Sequence, residues 1–162
     1  MATAKVNTDT SSRELVFNRL INASRERVFE AFTVPEQVIK WWGPNGFTNT
    51  IHEMEVKPGG AWSFMMHGPD GRDYPNKIVF IEVVKPERLV FKHTGDDDTE
   101  GVTHYSTVTF QEVNGKTNLT MKLVFNTAEE RERVVKEYGA EEGGKQTIGR
   151  LEEYLATGNV KI

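Results

Sequence analysis

Four histidines are the side chains of this sequence best suited to acid–base or metal chemistry: His52, His67, His93 and His104. All fall in or near segments with strand character. None has the spacing of a helical zinc motif such as H-E-x-x-H, although neighbouring strands can bring two of them together. His104 shares its parity with Val108 and Phe110 in an apolar strand, so it is the histidine most worth examining as an inward-facing group. Beside an inward carboxylate it would act as a general acid or base, whereas a hydrogen-bonded or surface histidine is the simpler interpretation. The spacing therefore identifies no catalytic residue and no metal ligand.

Several other chemistries are excluded by what the sequence lacks. There are no cysteines, which rules out disulfides, thiolate catalysis and cysteine-based zinc sites and fits a reducing cytoplasm. The absence of a Gly-rich phosphate loop and of a nucleophile elbow predicts no cofactor and no serine hydrolase. The net charge of −4, without a basic stripe, argues against nucleic-acid binding, and no stretch approaches the roughly 20 apolar residues of a membrane span. The acidic stretch 95–101 lacks EF-hand spacing and is predicted to be a solvated loop.

Aromatic and methionine side chains offer hydrophobic recognition instead. Trp41 and Trp42 are adjacent and cannot share one face of a helix, so one is expected to pack on the sheet while the other covers the mouth of a cavity. The simpler alternative is a helix end that is anchored by aromatic burial and stopped by Gly43-Pro44. Two strands add apolar faces that would line a pocket if concave, or form plain core otherwise. The predicted cavity residues are Trp41, Trp42, Trp62, Phe64, Met66, His104, Met121 and Phe125.

Two further features each admit two interpretations. The glycines Gly143, Gly144 and Gly149 mark either a close approach to the sheet or a ligand, or a kink that lets the last helix follow a curved sheet. Arg19 is an arginine in an apolar strand, where it would recognise an anionic ligand group or form a structural ion pair. A pair with a strand carboxylate such as Glu55 is the prediction preferred for it.

Hydrophobic periodicity and turn signals predict the elements that position these residues. The predicted strands span 14–21, 47–56, 61–67, 78–84, 89–94, 102–113 and 117–125, and Asn114-Gly115 predicts a hairpin between the last two. The predicted helices span 25–32, 35–41, 128–138 and 145–156. Their N-caps are Ser24 for the first, Thr33 for the second and Thr127 for the third.

This order predicts an α+β domain in which a curved antiparallel sheet of about seven strands wraps a long C-terminal helix. An apolar sheet face needs a partner, and the terminal helix, with Ile148, Leu151 and Leu155 on one side, is the only large candidate. Residues 13–162 are predicted to form this single domain, after a flexible tail at 1–12 that lacks a signal-peptide core. A space between the sheet and the helix is where a ligand would lie.

Six segments occur in a recognisable order between residues 13 and 157. They are RLI at 19–21, RVFEAFTVPE at 27–36, WWGP at 41–44, VKPGGAW at 56–62, KPERLVF at 85–91 and EGGKQTIGRL at 142–151. Together they resemble the START-like (SRPBCC) helix-grip superfamily, and within it the AHSA-like branch related to the C-terminal domain of the heat-shock chaperone ATPase activator. The resemblance implies the same strand–helix–helix–strands–helix architecture. It implies no single activity, because members include lipid carriers, hormone binders, cyclases, hydrolases and co-chaperone domains.

Three functions are open on these grounds. The first is the binding of a small hydrophobic or amphipathic molecule, such as a lipid, in the cavity, with affinity from apolar burial. The second, implied by the resemblance, is a co-chaperone-like domain that acts on a heat-shock chaperone ATPase in a stress response. The third is a cavity enzyme of hydrolase or cyclase type, using an inward histidine or carboxylate of shifted pKa. Ligand binding is the preferred prediction. The chain is expected to be a monomer or a homodimer.

Overall fold

The computed structural model describes residues 10–94, 102–158 and 160. Within them, strands β1 to β7 span Glu14–Ile21, Thr48–Met54, Ala61–His67, Asp73–Val84, Arg88–His93, His104–Val113 and Lys116–Phe125. Helices α1 to α4 span Arg25–Thr33, Pro35–Val38, Ala128–Tyr138 and Ala140–Thr157, and a 3-10 turn at Ser11–Arg13 precedes β1. The acidic loop and residues 1–9 of the predicted tail lie outside the described residues.

The strands form one antiparallel sheet in the order β1-β7-β6-β5-β4-β3-β2. Consecutive strands are neighbours from β2 to β7, and β1 joins the far side of β7. The predicted hairpin between β6 and β7 turns at Asn114 and Gly115, whose φ angles of 51° and 80° are those of the tight turn that an Asn-Gly pair favours. Irregularities in the registers of β2 with β3 and of β4 with β5 bend the strands and add to the curvature.

The core lies between the concave face of this sheet and the helices. Along β6 every second residue is buried, as Ser106, Val108 and Phe110 show. Helix α4 covers the same face with its buried apolar stripe, which includes the predicted Ile148 and Leu151. This is the helix-grip architecture that the sequence predicts. No helix in the described part of the chain is long and apolar enough to cross a membrane.

Helix α1 packs aromatic side chains onto β6. Ser24 caps it as predicted, because its hydroxyl oxygen accepts a hydrogen bond from the backbone N–H of Arg27 at 3.3 Å. Phe29 and Phe32 then meet the ring of Phe110 edge-on, with centroids 5.2 and 5.3 Å apart. These contacts fix α1, and the chain that leaves it, relative to the centre of the sheet.

The predicted N-cap and the predicted end of α2 are both wrong. Val34 is the N-cap and makes no side-chain hydrogen bond. The Thr33 hydroxyl instead donates to the carbonyl oxygen of Phe29 at 2.9 Å, because Thr33 still belongs to the last turn of α1 and its side chain reaches back along that helix. Helix α2 ends at Val38 rather than at residue 41, and the two tryptophans lie in the irregular turn that follows.

Helix α4 begins at Ala140, five residues before the predicted start, so the glycine pair lies inside it. The helix before it, α3, is capped as predicted by Thr127, whose hydroxyl oxygen accepts from the N–H of Glu130 at 3.0 Å. A left-handed residue, Gly139 with φ 59°, ends α3 and opens α4. The two helices are thus separated by one glycine, and the later glycines do not interrupt α4.

Gly144 is the position where α4 approaches the sheet too closely for a side chain. A Cβ atom there would lie 2.3 Å from Cζ of Phe17 in β1, well inside van der Waals contact. A Cβ atom on Gly143 would lie 3.6 Å from Cγ of Pro44, and one on Gly149 would meet nothing within 4 Å. Of the two interpretations of these glycines, close approach to the sheet therefore applies to Gly144.

The predicted pairing of Arg19 with a strand carboxylate is wrong. Its Nη1 lies 2.6 Å from Oε1 of Glu152 in α4, and Glu55 instead pairs with Lys57 at 3.2 Å. The reason is topological, because β1 lies at one edge of the sheet, whereas Glu55 follows β2 at the opposite edge. Arg19 is therefore a structural link between β1 and the terminal helix.

Two alanine substitutions on α4, at Gly144 and at Gly149, test the close approach of this helix to the sheet. We expect Gly144→Ala to lower the free energy of unfolding by about 1–3 kcal/mol, because its methyl group displaces the Phe17 ring. Gly149→Ala is the matched control, and it should leave stability unchanged or raise it by up to about 1 kcal/mol through helix propensity. Urea unfolding measures both, and equal effects at the two positions would contradict the assignment.

Candidate functional site

A cavity of about 240 Å³ lies between the concave face of the sheet, the first half of α4 and the loop that follows α2. The strands β1, β3 and β5 contribute Phe17, Met66 and Phe91, and β6 and β7 contribute His104, Ser106, Met121 and Leu123. The loop contributes Trp42, Gly43 and Pro44, and the helix contributes Ala140, Gly143, Gly144 and Thr147. No Asp, Glu, Lys or Arg is among these described residues, so the wall is apolar apart from a few uncharged groups.

Four of the residues predicted to line a cavity lie on this wall, namely Trp42, Met66, His104 and Met121. The others, Trp41, Trp62, Phe64 and Phe125, are at most 3% exposed and belong to the packed core. Strand parity identifies the inward face correctly in β3, where Trp62, Phe64 and Met66 all point inward. It does not say which part of that face is covered by another side chain, and here Trp42 covers Trp62, with ring centroids 4.9 Å apart.

The two adjacent tryptophans have different surroundings. Trp41 is fully buried, its Nε1 donates to the carbonyl oxygen of Ala31 at 3.0 Å, and its ring meets Phe32 edge-on at 4.8 Å. It therefore anchors the turn after α2 to helix α1 rather than to the sheet. Trp42 points toward the sheet, where its ring packs on Trp62 and forms part of the cavity wall.

Arg150 of α4 holds the loop that carries this wall. Its Nη1 donates to the carbonyl oxygens of Gly43 at 2.8 Å and Pro44 at 2.6 Å, with a longer contact of 3.5 Å to that of Trp42. Its Nη2 donates to the carbonyl oxygen of Phe47 at 2.9 Å. Arg150 is 4% exposed, and each of these hydrogen bonds ends on a backbone carbonyl.

The charge of Arg150 is thus stabilised mainly by peptide dipoles. Burial lowers the pKa of its guanidinium from the ordinary value, and nearby Glu153 acts in the opposite direction. A guanidinium nevertheless stays protonated in proteins, so the loop is held by charge-assisted hydrogen bonds. Asn49 adds a further bond, since its Nδ2 donates to the carbonyl oxygen of Trp42 at 2.9 Å.

The loop can approach Arg150 only because residue 43 is a glycine. Gly43 has φ 99°, in the region that favours glycine, and a Cβ atom there would lie 2.8 Å from Cε of Met66. The sequence analysis did not single out Arg150. The signal that was available is a charged residue directly before Leu151, at the edge of the apolar stripe of α4 and inside the segment EGGKQTIGRL.

The polar groups of the wall lie together on β6. His104 and Ser106 are two residues apart and face the same side of the sheet. His93 of β5 lies directly opposite His104, with ring centroids 4.9 Å apart, and its Nε2 contacts Oδ1 of Asn76 at 2.8 Å. Neighbouring strands therefore do bring two of the four histidines together, but only one of them is on the cavity wall.

The remaining two histidines are remote from the cavity. His67 contacts the hydroxyl of Thr50 and the carboxylate of Asp73, each at 2.8 Å, on an exposed part of the sheet. His52 is exposed in β2. No group of three or more His, Cys, Asp or Glu side chains in the described residues could hold a metal ion.

Both inner histidines are neutral at physiological pH. Burial lowers the pKa of His93 to about 4. Burial, and to a smaller extent the neighbouring His93, lowers the pKa of His104 to about 3. The chemistry available on the cavity wall is accordingly hydrogen bonding by uncharged groups, without a carboxylate to complete an acid–base pair.

Comparisons with known proteins agree with this architecture. A family model described as "Activator of Hsp90 ATPase homolog 1-like protein" matches residues 22–156. The solved structure of protein Ms6760 from Mycobacterium smegmatis is 25% identical with a TM-score of 0.82, over 96% of this chain and 99% of that one. Protein NE0264 from Nitrosomonas europaea is 25% identical with a TM-score of 0.80, over 91% and 97% of the two chains.

A third solved structure, of a protein from Arthrobacter aurescens, is 24% identical with a TM-score of 0.82, over 94% of this chain and 91% of that one. At that identity the likeness concerns the fold alone. No curated protein matches the chain.

Removing the guanidinium of Arg150 should cost much more stability than removing an exposed one from the same helix interface. We expect Arg150→Met to lower the free energy of unfolding by about 3–5 kcal/mol, because several loop carbonyls lose their donors. Arg19→Met removes the partly exposed pair with Glu152 and should cost less than about 1 kcal/mol. Urea unfolding compares them, and a small loss in both variants would show that the loop does not depend on Arg150.

The inner histidines should make the protein less stable as the pH falls from 7 to 5. In the unfolded chain their pKa values return to about 6.5, so the unfolded state binds protons that the folded state excludes. The free energy of unfolding should therefore be up to about 2 kcal/mol lower at pH 5 than at pH 7 for each of these histidines. Unfolding at the two pH values measures this, and His104→Phe should remove its share of the decrease while His52→Phe should not.

Proposed function

This chain belongs to the Activator of Hsp90 ATPase homolog 1-like family, whose model covers most of its length, and we propose that it binds a small hydrophobic or amphipathic molecule in the cavity between sheet and α4. The observation that carries the proposal is the cavity itself, about 240 Å³ of space walled by aromatic and methionine side chains in an otherwise packed core. Concave apolar sites with a few polar groups are where proteins most often bind small molecules.

The volume limits the ligand. Engineered apolar cavities of about 150 Å³ hold benzene, and drug-sized sites begin near 300 Å³. A cavity of 240 Å³ lies between these values and fits a molecule of about ten non-hydrogen atoms. Burial of such a ligand favours binding by about 25 cal/mol per Å² of apolar surface, before the cost of ordering it.

The walls suit an adaptable apolar ligand. Met66 and Met121 contribute flexible, polarisable side chains to the wall, and Phe17, Phe91 and Trp42 supply rigid aromatic surface. A cavity enzyme is less well supported, because the described wall contains one histidine and one serine hydroxyl but no carboxylate. Binding without chemistry requires only the groups that are present.

The name of the family refers to a chaperone activator, and this makes chaperone binding the competing function. The cavity gives no evidence on chaperone binding, so chaperone binding is one outcome of the experiment that follows.

A cytoplasmic location also remains our prediction, because it is based on a chain without cysteines rather than on the fold.

Filling the cavity should abolish binding without unfolding the protein. We expect thermal stabilisation by members of a panel of uncharged molecules of about ten atoms, including indole, 2-naphthol and 1-octanol, because a ligand of the folded state raises its stability. Met121→Trp should remove the shift while lowering the melting temperature by only a few degrees, since the larger ring has space to occupy. Differential scanning fluorimetry and calorimetry measure both quantities.

Met65→Trp is the matched control, because Met65 alternates with the inward Phe64 and Met66 on β3 and does not line the cavity. It should keep the ligand shifts of the natural protein. No shift with any member of the panel, combined with capture of an Hsp90-type ATPase by the purified chain, would favour the chaperone function. A large loss of stability in Met121→Trp would show that the site behaves as solid core.

A further inference from the structure

The cavity wall carries two hydrogen-bonding side chains that the described protein does not use fully. His104 and Ser106 both face the cavity from β6, and the other described lining residues with a polar side-chain group are Thr147 and Trp42, whose indole N–H is a donor. The Thr147 hydroxyl is already engaged, since it donates to the carbonyl oxygen of Gly143 at 2.8 Å. The polar character of the site is therefore concentrated at one place on an apolar surface.

The hydrogen bonds around His104 are the basis for assigning the proton of its ring to one nitrogen. The Thr103 hydroxyl donates its one proton to the carbonyl oxygen of His93 at 3.0 Å. With that orientation of the hydroxyl, its oxygen accepts from Nδ1 of His104, which lies 3.2 Å away, and we assign the ring to this tautomer. With the proton on Nδ1 of a neutral ring, Nε2 keeps a lone pair and is an acceptor, and no described residue donates to it.

Ser106 provides the second group. It is 3% exposed, and its hydroxyl makes no hydrogen bond to another described residue. It is also not sealed into the core, because its side chain lines the cavity. The hydroxyl is thus accessible from the cavity, where water or a polar group of a ligand forms its hydrogen bond.

A charged ligand group is disfavoured beside His104 and Ser106. No described lining residue is Lys, Arg, Asp or Glu, and the buried cation Arg150, whose Nη1 and Nη2 donate to the carbonyls of the loop, does not line the cavity. A carboxylate placed beside His104 would meet a lone pair without a compensating proton, and an ammonium group would have no anion. Burial of either ion in such surroundings is costly.

We propose that the ligand is an uncharged amphipathic molecule whose single hydroxyl or N–H group donates a hydrogen bond to Nε2 of His104 and contacts the hydroxyl of Ser106, while its hydrocarbon part fills the rest of the cavity. This assignment depends on the proposed function, since it names the class of ligand for the same site. The Ser106 hydroxyl acts as either donor or acceptor. It therefore forms the second hydrogen bond of a ligand hydroxyl group, which has lone pairs as well as a proton.

Three probes of nearly equal shape separate the contributions. 4-Ethylphenol carries a hydroxyl donor, 4-ethyltoluene replaces it with a methyl group, and 4-methylbenzoate replaces it with an anion. Titration calorimetry at pH 7.5 should show 4-ethylphenol binding about tenfold more tightly than 4-ethyltoluene, as expected when buried polar groups are left unpaired by the wrong ligand. 4-Methylbenzoate should bind more weakly than either.

Two substitutions locate the preference. Ser106→Ala and His104→Phe should each reduce the ratio of the two affinities to about threefold or less, while the affinity for 4-ethyltoluene stays the same or rises. Ser63→Ala and His52→Phe are the controls, because Ser63 has the outward parity of β3 and His52 is exposed in β2. Both should keep the tenfold ratio.

A direct readout does not depend on whether the variants fold. In the natural protein labelled with ¹⁵N-histidine, 4-ethylphenol should shift the Nε2 resonance of His104 toward that of a hydrogen-bonded acceptor, and 4-ethyltoluene should not. Equal affinities for the phenol and the toluene, with no shift of Nε2, would overturn this inference and leave the proposed function intact. Tightest binding of the benzoate would also overturn it, and absence of binding by all three probes would overturn both.

Discussion

The contact between Arg150 and the 42–47 loop is the interaction on which the remaining geometry depends. One guanidinium on α4 donates to the carbonyl oxygens of Gly43, Pro44 and Phe47, so the terminal helix and the loop after α2 are fixed to each other. That loop carries Trp42, which covers the aromatic core on one side and forms the cavity wall on the other. A buried cation costs several kcal/mol in desolvation, and the oriented peptide dipoles offset that cost only while the loop keeps this shape. The arginine therefore selects one loop conformation.

Two glycines allow this arrangement, each for a different steric reason. Gly43 has the backbone conformation that brings the loop carbonyls to Arg150 and leaves space for Met66. Gly144 lets α4 lie against the ring of Phe17, at the place where the helix passes over β1. The Phe17 ring occupies the position that a side chain at residue 144 would take, so the helix lies close to the sheet at this point. The cavity lies beside this contact, since Phe17 and Gly144 both line it.

The cavity differs from the aromatic core around it because its wall includes uncharged polar side chains. Most of the inward face is closed by aromatic contacts such as that of Phe29 and Phe32 with Phe110. Toward the start of β6, the same face presents Ser106 and a neutral His104, which line the cavity. The change from closed core to open cavity follows the strand itself, and it places an imidazole and a hydroxyl side by side on the β6 wall of the cavity.

Local patterns in the sequence determine most of the scaffold. The Asn114-Gly115 turn, the caps at Ser24 and Thr127 and the apolar stripe of α4 depend on neighbours within a few residues, so they could be predicted, and with them the helix-grip architecture. The resemblance carried by the six segments pointed to the same fold. Strand parity placed Met66, His104 and Met121 among the candidates, and the adjacent tryptophans added Trp42, but the same patterns also added Trp62, Phe64, Trp41 and Phe125, which are core. Only the tertiary structure decides which inward residues are covered, that Arg19 meets Glu152, and that Arg150 meets a loop more than a hundred residues earlier. These contacts join parts of the chain that are distant in sequence, and their distances depend on how the whole sheet curves around α4.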